Sequence, residues 1–257
     1  MKKVLLALTA LAALTGSASA ADLAARPYTK AAAPVAYAPS WTGCYLGAGG
    51  GGAMTNNDAN LFDSVTGVAL TRNVTTGARG WFGTVQGGCD YQFAGNWVAG
   101  AFADYDFMDV KGDNGAFPGL VGSQKQDWQW AVGARVGYLV LPQLLTYVSG
   151  GYTQGHWKST DLTSSILPAG GVLARLPGAT KGGWFVGTGD EYALSFLPGL
   201  FWKTEYRYSE FDRANVALTD PFGVAIGTSE TQKIREHSVR SELVYRFNWG
   251  GPVVAKY

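Results

Sequence analysis

The chain is poor in the side chains that do most chemistry. Its 257 residues include two histidines, two cysteines and three methionines. Acid–base work at neutral pH would have to be built on His156 or His237. Cys44 and Cys89 show no C-x-x-C or other metal-ligand spacing, so a zinc site is not indicated. Beyond the first twenty residues no run approaches the ~18 apolar residues of a membrane helix. An excess of either charge sign is also missing. Lys2 and Lys3 account for two of the 20 Lys+Arg, and the remaining 18 face 19 Asp+Glu. That balance argues against a nucleic-acid partner.

What is present begins with an export signal. Lys2 and Lys3 form a positive start, Val4 to Leu14 is a short apolar run, and Ala18-Ser19-Ala20 is a small-residue cleavage site. Residues 1–20 are therefore expected to be a signal peptide. Residues 21–40, with Ala31-Ala32-Ala33-Pro34 and Ala38-Pro39, show no strand alternation and read as an Ala/Pro-rich periplasmic tail. From Trp41 onward the composition suits strands: the chain carries 36 Gly, 13 Tyr, 12 Phe and 9 Trp. Aromatics favour pleated structure and glycine disfavours helix.

The segment from Trp202 to Tyr208 shows the pattern most clearly. Lys203, Glu205 and Arg207 alternate with Trp202, Thr204, Tyr206 and Tyr208, and a period of two is a strand period. The same alternation recurs in eight places: about 41–52, 80–93, 97–108, 127–139, 144–157, 183–194, 200–211 and 236–247. The connections alternate in length. Short turns near 94–96, 141–143 and 196–199 trade with long polar stretches at 53–79, 109–126, 158–182 and 212–235. Short turns at one end and long loops at the other are the asymmetry of an outer-membrane barrel. With no spanning helix, spanning strands must close into a ring. The expected fold is all-β: an eight-stranded antiparallel up-and-down transmembrane β-barrel over residues 41–257.

The polar face of these strands carries both signs of charge: Asp104, Asp106, Arg135, Lys203, Glu205, Arg207, Arg240, Glu242 and Arg246. Eight strands enclose little more than the volume of their own side chains. Lone charges there are costly, so acids and bases are expected to pair within the lumen. A lipocalin-like barrel would reverse the faces. Trp41, Trp97, Trp128 and Trp130 are expected in aromatic girdles. Cys44 and Cys89 share outward parity near the short-turn ends of adjacent strands. They are a candidate cross-strand disulfide, provided the register brings their Cα atoms within ~7 Å.

Several short motifs, in order, resemble the small outer-membrane β-barrel family of Gram-negative bacteria that includes surface antigens and haemin-binding relatives. They are Trp41-Thr42-Gly43-Cys44-Tyr45-Leu46-Gly47-Ala48, Val85-Gln86-Gly87-Gly88, Ala103-Asp104-Tyr105, Glu191-Tyr192-Ala193-Leu194, Glu205-Tyr206-Arg207-Tyr208 and Tyr245-Arg246-Phe247. Phe102 departs from the family, which usually has an acid there. Asp190 falls on the outward face, and the chain runs past Phe247 to Tyr257, with Pro252 disfavouring a ninth strand. The resemblance implies an outer-membrane location, contact with outer-membrane lipid and handling by the barrel-assembly machinery. The expected role is structural, as an envelope surface protein with four exposed loops. A narrow porin-like channel, or loop binding of haem or host surfaces, is the alternative. No enzyme activity, metal or cofactor is expected. His156 and His237, with Tyr152 and Trp157, are the candidates if haem is bound. A Ser238/His237 pair oriented by Glu236 or Glu230 is the only hydrolytic arrangement to consider.

Overall fold

The computed structural model describes residues 39–114, 119–164 and 171–247. The expected signal peptide, the tail up to residue 38 and the run from Asn248 to Tyr257 lie outside the described residues. Among the described residues eleven strands follow one another: β1 (Gly43–Asp63), β2 (Val74–Phe93), β3 (Trp97–Asn114), β4 (Leu120–Leu141), β5 (Leu144–Trp157), β6 (Thr160–Ser164), β7 (Ala174–Leu176), β8 (Ala179–Ala193), β9 (Leu200–Phe211), β10 (Ala214–Thr219) and β11 (Ala225–Phe247).

Eight of them form a closed antiparallel ring in the order β1, β2, β3, β4, β5, β8, β9, β11. The ring shuts where β1 pairs β11, from Cys44 opposite Phe247 to Asp63 opposite Thr228. Closure leaves no sheet edge for lipid to meet. The other three strands continue this ring rather than adding to it. After short breaks β5 resumes as β6, β7 leads into β8, and β9 resumes as β10. β6 pairs β4 and β7, while β10 pairs β7 and β11, so the strand order is kept.

The stretches 53–79, 109–126, 158–182 and 212–235 are expected to be loops; their described residues are mostly strand. Among the described residues the strands run on to Asp63, Asn114, Ser164 and Thr219 and resume at Val74, Leu120, Ala174 and Ala225. The reason lies in solvent. Past the aromatic band the outer face meets water, so outward positions such as Asp58, Asn60, Lys111 and Asp113 are polar. The apolar signal moves inward, to Leu61, Leu162, Ala174, Leu176 and Leu218, which pack together inside the extension. At the opposite end the turns are tight. Gly95 and Gly199 take φ of +78° and +87°, which glycine adopts without a Cβ penalty.

The outer face of the ring is apolar and aromatic: Trp81, Phe107, Trp184, Trp202, Tyr206, Leu243 and Tyr245 are all exposed. The interior serves as the core. Phe82, Phe102, Tyr45, Tyr147, Phe185 and Phe201 fill it alongside buried charge. Gly51 makes room for this filling: a Cβ there would stand 2.6 Å from the Phe82 ring.

Candidate functional site

The interior charges are set by strand parity. Each lies on an inward position of its strand, so closing the ring turns them all toward one axis. All nine of the charged residues expected in the lumen are buried in the structure. Four further acids are buried with them, Glu230 and Glu236 on β11, Asp90 on β2 and Glu191 on β8; the last two join the same ion-pair network. Alternation carried the signal for both, because Asp90 shares parity with Gln86, and Glu191 adjoins the outward Asp190.

The charges interlock in layers. Nearest the short turns, Arg135 bridges Asp90 (2.5 Å) and Glu191 (2.9 Å), and Arg246 bridges the same two acids at 2.7 and 2.6 Å. Next, Lys203 reaches Glu242 (3.1 Å) and the Gln86 carbonyl (2.8 Å), while Gln86 donates to Glu242 at 2.5 Å. Tyr147 donates to Glu205 at 2.8 Å. Deeper still, Arg207 grips Asp104 with both terminal nitrogens, at 3.1 and 2.8 Å, and meets Glu205 at 2.8 Å. Arg240 meets Asp106 at 3.0 Å and Asp104 at 3.5 Å. Arg–carboxylate pairs of this kind combine charge with directional hydrogen bonds.

Aromatic faces fill the remaining space. Arg207 lies 4.3 Å over the Phe185 ring, Arg240 5.4 Å over Phe82, and Arg246 4.9 Å over Phe201. Phe102, where the family resemblance implies an acid, stands 5.7 Å beneath both Lys203 and Arg207. A ring face at this position attracts both cations.

Trp41 corrects the expectation of a girdle. It is buried inside the short-turn end, donates to the Pro142 carbonyl at 3.1 Å and packs 5.2 Å from Arg246. It shares parity with the inward Tyr45, so the alternation that turns Cys44 outward turns Trp41 inward. Trp97, Trp128 and Trp130 do face outward, against Tyr138, His156 and Tyr152.

At the long-loop end the interior holds a smaller polar group. Lys181 donates to Gln232, Gln232 donates to Glu230 at 2.7 Å, and Lys181 stands 5.4 Å from the Trp157 ring. Burial pushes the Lys181 ammonium down to about 8 and raises the Glu230 carboxyl. A cavity of about 10 Å³, room for roughly one water, lies beside Thr55, Asn57, Gln126 and Ile234.

Other candidate chemistry does not assemble. His237 lies on the outer side of β11 and meets Tyr206 at 2.7 Å, whereas Glu236 and Ser238 point inward. Adjacent residues of one strand face opposite ways, so they form no triad. His156 pairs with Asp127 at 2.6 Å on the outer side of β5. Two ring strands, β8 and β9, separate it from His237. At ~4.8 Å per strand the two histidines are ~14 Å apart around the wall. Trp157 is buried inside while Tyr152 is outside. Cys44 stands opposite Cys89 in the β1–β2 register, and the two form a disulfide on the outer face, with Cα atoms 3.9 Å apart.

No family model matches the chain. Curated relatives do. The chain is 32% identical over 252 residues, covering 96% of it and all of the relative, to the 31 kDa outer-membrane immunogenic protein of Brucella melitensis, and equally to that of Brucella suis. Among solved structures, the outer membrane protein OprG from Pseudomonas aeruginosa matches with a TM-score of 0.52 at 14% identity, over 81% of this chain and 99% of that one. The closed ring, its apolar outer face and these full-length relatives agree, and the chain belongs to the family of the 31 kDa outer-membrane immunogenic protein, as a β-barrel surface protein of the outer membrane.

Proposed function

We propose that the protein is a closed barrel whose role in the envelope is structural: it anchors four loops at the cell surface and conducts no solute. The observation that supports this reading is the interlocked interior, in which Arg135, Arg207, Arg240 and Arg246 each bridge to a carboxylate on a strand that is not its neighbour. Open aqueous channels are found in rings of ~16–18 strands, about twice this number. Above the ionic layers, Leu61, Leu162, Leu176 and Leu218 add an apolar stopper. The surface is then carried beyond the strand ends at Asp63, Asn114, Ser164 and Thr219. The first of these is tied to the start of β11: the Ser64 amide donates to the Gly227 carbonyl at 2.9 Å, and the Ser64 and Ser229 hydroxyls meet at 2.7 Å.

Planar-bilayer recording on the full-length protein tests the proposal. A silent bilayer, with insertion verified by heat-modifiable gel migration, is expected. Discrete, reproducible conductance steps would establish the narrow-channel alternative instead.

A further inference from the structure

On the outer face of β2, β3 and β4, just past the aromatic band, Arg79 stands directly opposite Lys111, and Lys111 directly opposite Lys125. Lys158 continues the row, because its amide donates to the Lys125 carbonyl at 2.8 Å. Like charges directly opposed across strands are destabilising. The fold tolerates the alignment with only partial neutralisation. Asp109 meets Lys111 at 3.0 Å and Lys125 at 2.5 Å, and Asp127 reaches Lys158 at 3.8 Å while holding His156. Asp113 stands one outward step higher on β3 and makes no ion pair among the described residues. Arg79 has no ion pair there either. Lys111 and Lys158 side chains remain 53% and 54% exposed.

The opposite wall shows what a balanced girdle looks like in the same barrel. There Lys233 faces Asp58 across β1 and β11, and Arg235 faces Glu210 across β11 and β9. The pairs close at 2.8 Å (Lys233–Glu210) and 2.9 Å (Arg235–Asp58). The excess of positive charge is therefore one-sided.

Its height says what it meets. Trp81 lies one outward step below Arg79, Phe107 below Asp109, and Trp128 at the same level on β4. Aromatic side chains of this kind sit at the membrane–water interface. One outward step is two residues, ~7 Å along a strand, which lifts the cations to the level of lipid phosphates. Four strands at ~4.8 Å spacing make the row ~14 Å long, enough to meet more than one phosphate.

We propose that Arg79, Lys111, Lys125 and Lys158 form a docking surface for the phosphate groups of a phosphorylated outer-leaflet glycolipid. The inference rests on the outer-membrane location. Heat-modifiable migration tests that location separately, so the two fail distinguishably.

The test uses the full-length protein in uncharged detergent, with lipid A as the probe. The controls are the same lipid with its phosphates removed and inorganic phosphate alone. Each cation near an anionic lipid surface contributes about fivefold in affinity. The triple variant Arg79→Gln, Lys111→Gln, Lys125→Gln should bind lipid A on the order of 100-fold more weakly. Wild type should bind the dephosphorylated lipid about as weakly as the variant binds lipid A. Asp58→Asn with Arg235→Gln, which removes one charge of each sign from the balanced wall, should change lipid A affinity by less than about twofold. Equal wild-type affinity for the two lipids would overturn the proposal, and this arm needs no variant to fold. Lipid A affinity retained by a folded triple variant would overturn it as well. Inorganic phosphate binding as tightly as lipid A would reassign the row to a free anion, which also overturns it.

Discussion

Replacing Arg207 by methionine keeps an unbranched stem and removes a buried charge. The wild-type guanidinium holds both oxygens of Asp104, donates from Nε to Glu205 Oε1 at 2.9 Å, and lies on the Phe185 ring. After the change, Asp104 keeps only Arg240, at 3.5 Å, and Glu205 keeps Lys203, at 3.6 Å, beside the Tyr147 hydroxyl. Deleting one member of a buried ion pair costs about 3–5 kcal/mol, because the survivor stays desolvated. In a water-filled channel the same deletion costs about 0–1 kcal/mol. The two outcomes differ enough to separate a packed interior from a hydrated one. Urea unfolding of the barrel in vesicles, followed by tryptophan fluorescence and gel mobility, measures the loss. Adding Asp104→Asn should return part of it, with a coupling energy of about 0.5–3 kcal/mol. A loss below ~1 kcal/mol for Arg207→Met, together with strict additivity in the double variant, would refute the packed-interior reasoning.

Three further outcomes follow from the structure. The Cys44–Cys89 disulfide spans 45 residues, for which unfolded-state entropy gives about 4 kcal/mol. Thiol-specific labelling should therefore require reduction, and Cys44→Ser with Cys89→Ser should unfold at lower urea; labelling without reductant would contradict the bond. Asp58, outside the membrane, is held below the ordinary carboxylate range by the Thr75 hydroxyl and then by Arg235. A depressed carboxylate contributes stability above its unfolded value of 3.8 and loses it as pH falls through the lowered value. Asp58→Asn should thus cost at most about 1 kcal/mol at pH 7 and nothing in strong acid; a cost that grows on acidification would reverse the sign. Finally, His156 and His237 stand too far apart around the wall to share an iron. A Soret titration with haem should not change when both become alanine, and loss of the band on either substitution would show histidine ligation.

Much of the barrel can be read before any coordinates. Alternation in the segments around Trp128, Trp202 and Val239 places inward and outward faces correctly, since parity is a property of the extended backbone alone. Asp190 is another case. Its outward position is legible, and in the structure it accepts from Thr146 at 2.6 Å near the short turns. The strand extensions are not legible in the sequence, because an apolar-out alternation marks a strand only where lipid meets its outer face. Once the outer face leaves the membrane, as at Asp58 and Lys111, that contrast inverts.

The sequence by itself determined that strands would close into a ring, which residues would face inward, and that acids and bases would be mixed there. These follow from a period of two and from the cost of unpaired backbone in lipid. Only the tertiary structure decided the partners. Arg207 and Asp104 lie 103 residues apart, and Arg246 and Glu191 lie 55 apart. Their meeting depends on the tilt and stagger of the closed ring, which no local pattern carries. The same stagger aligned Arg79 with Lys111 and Lys125.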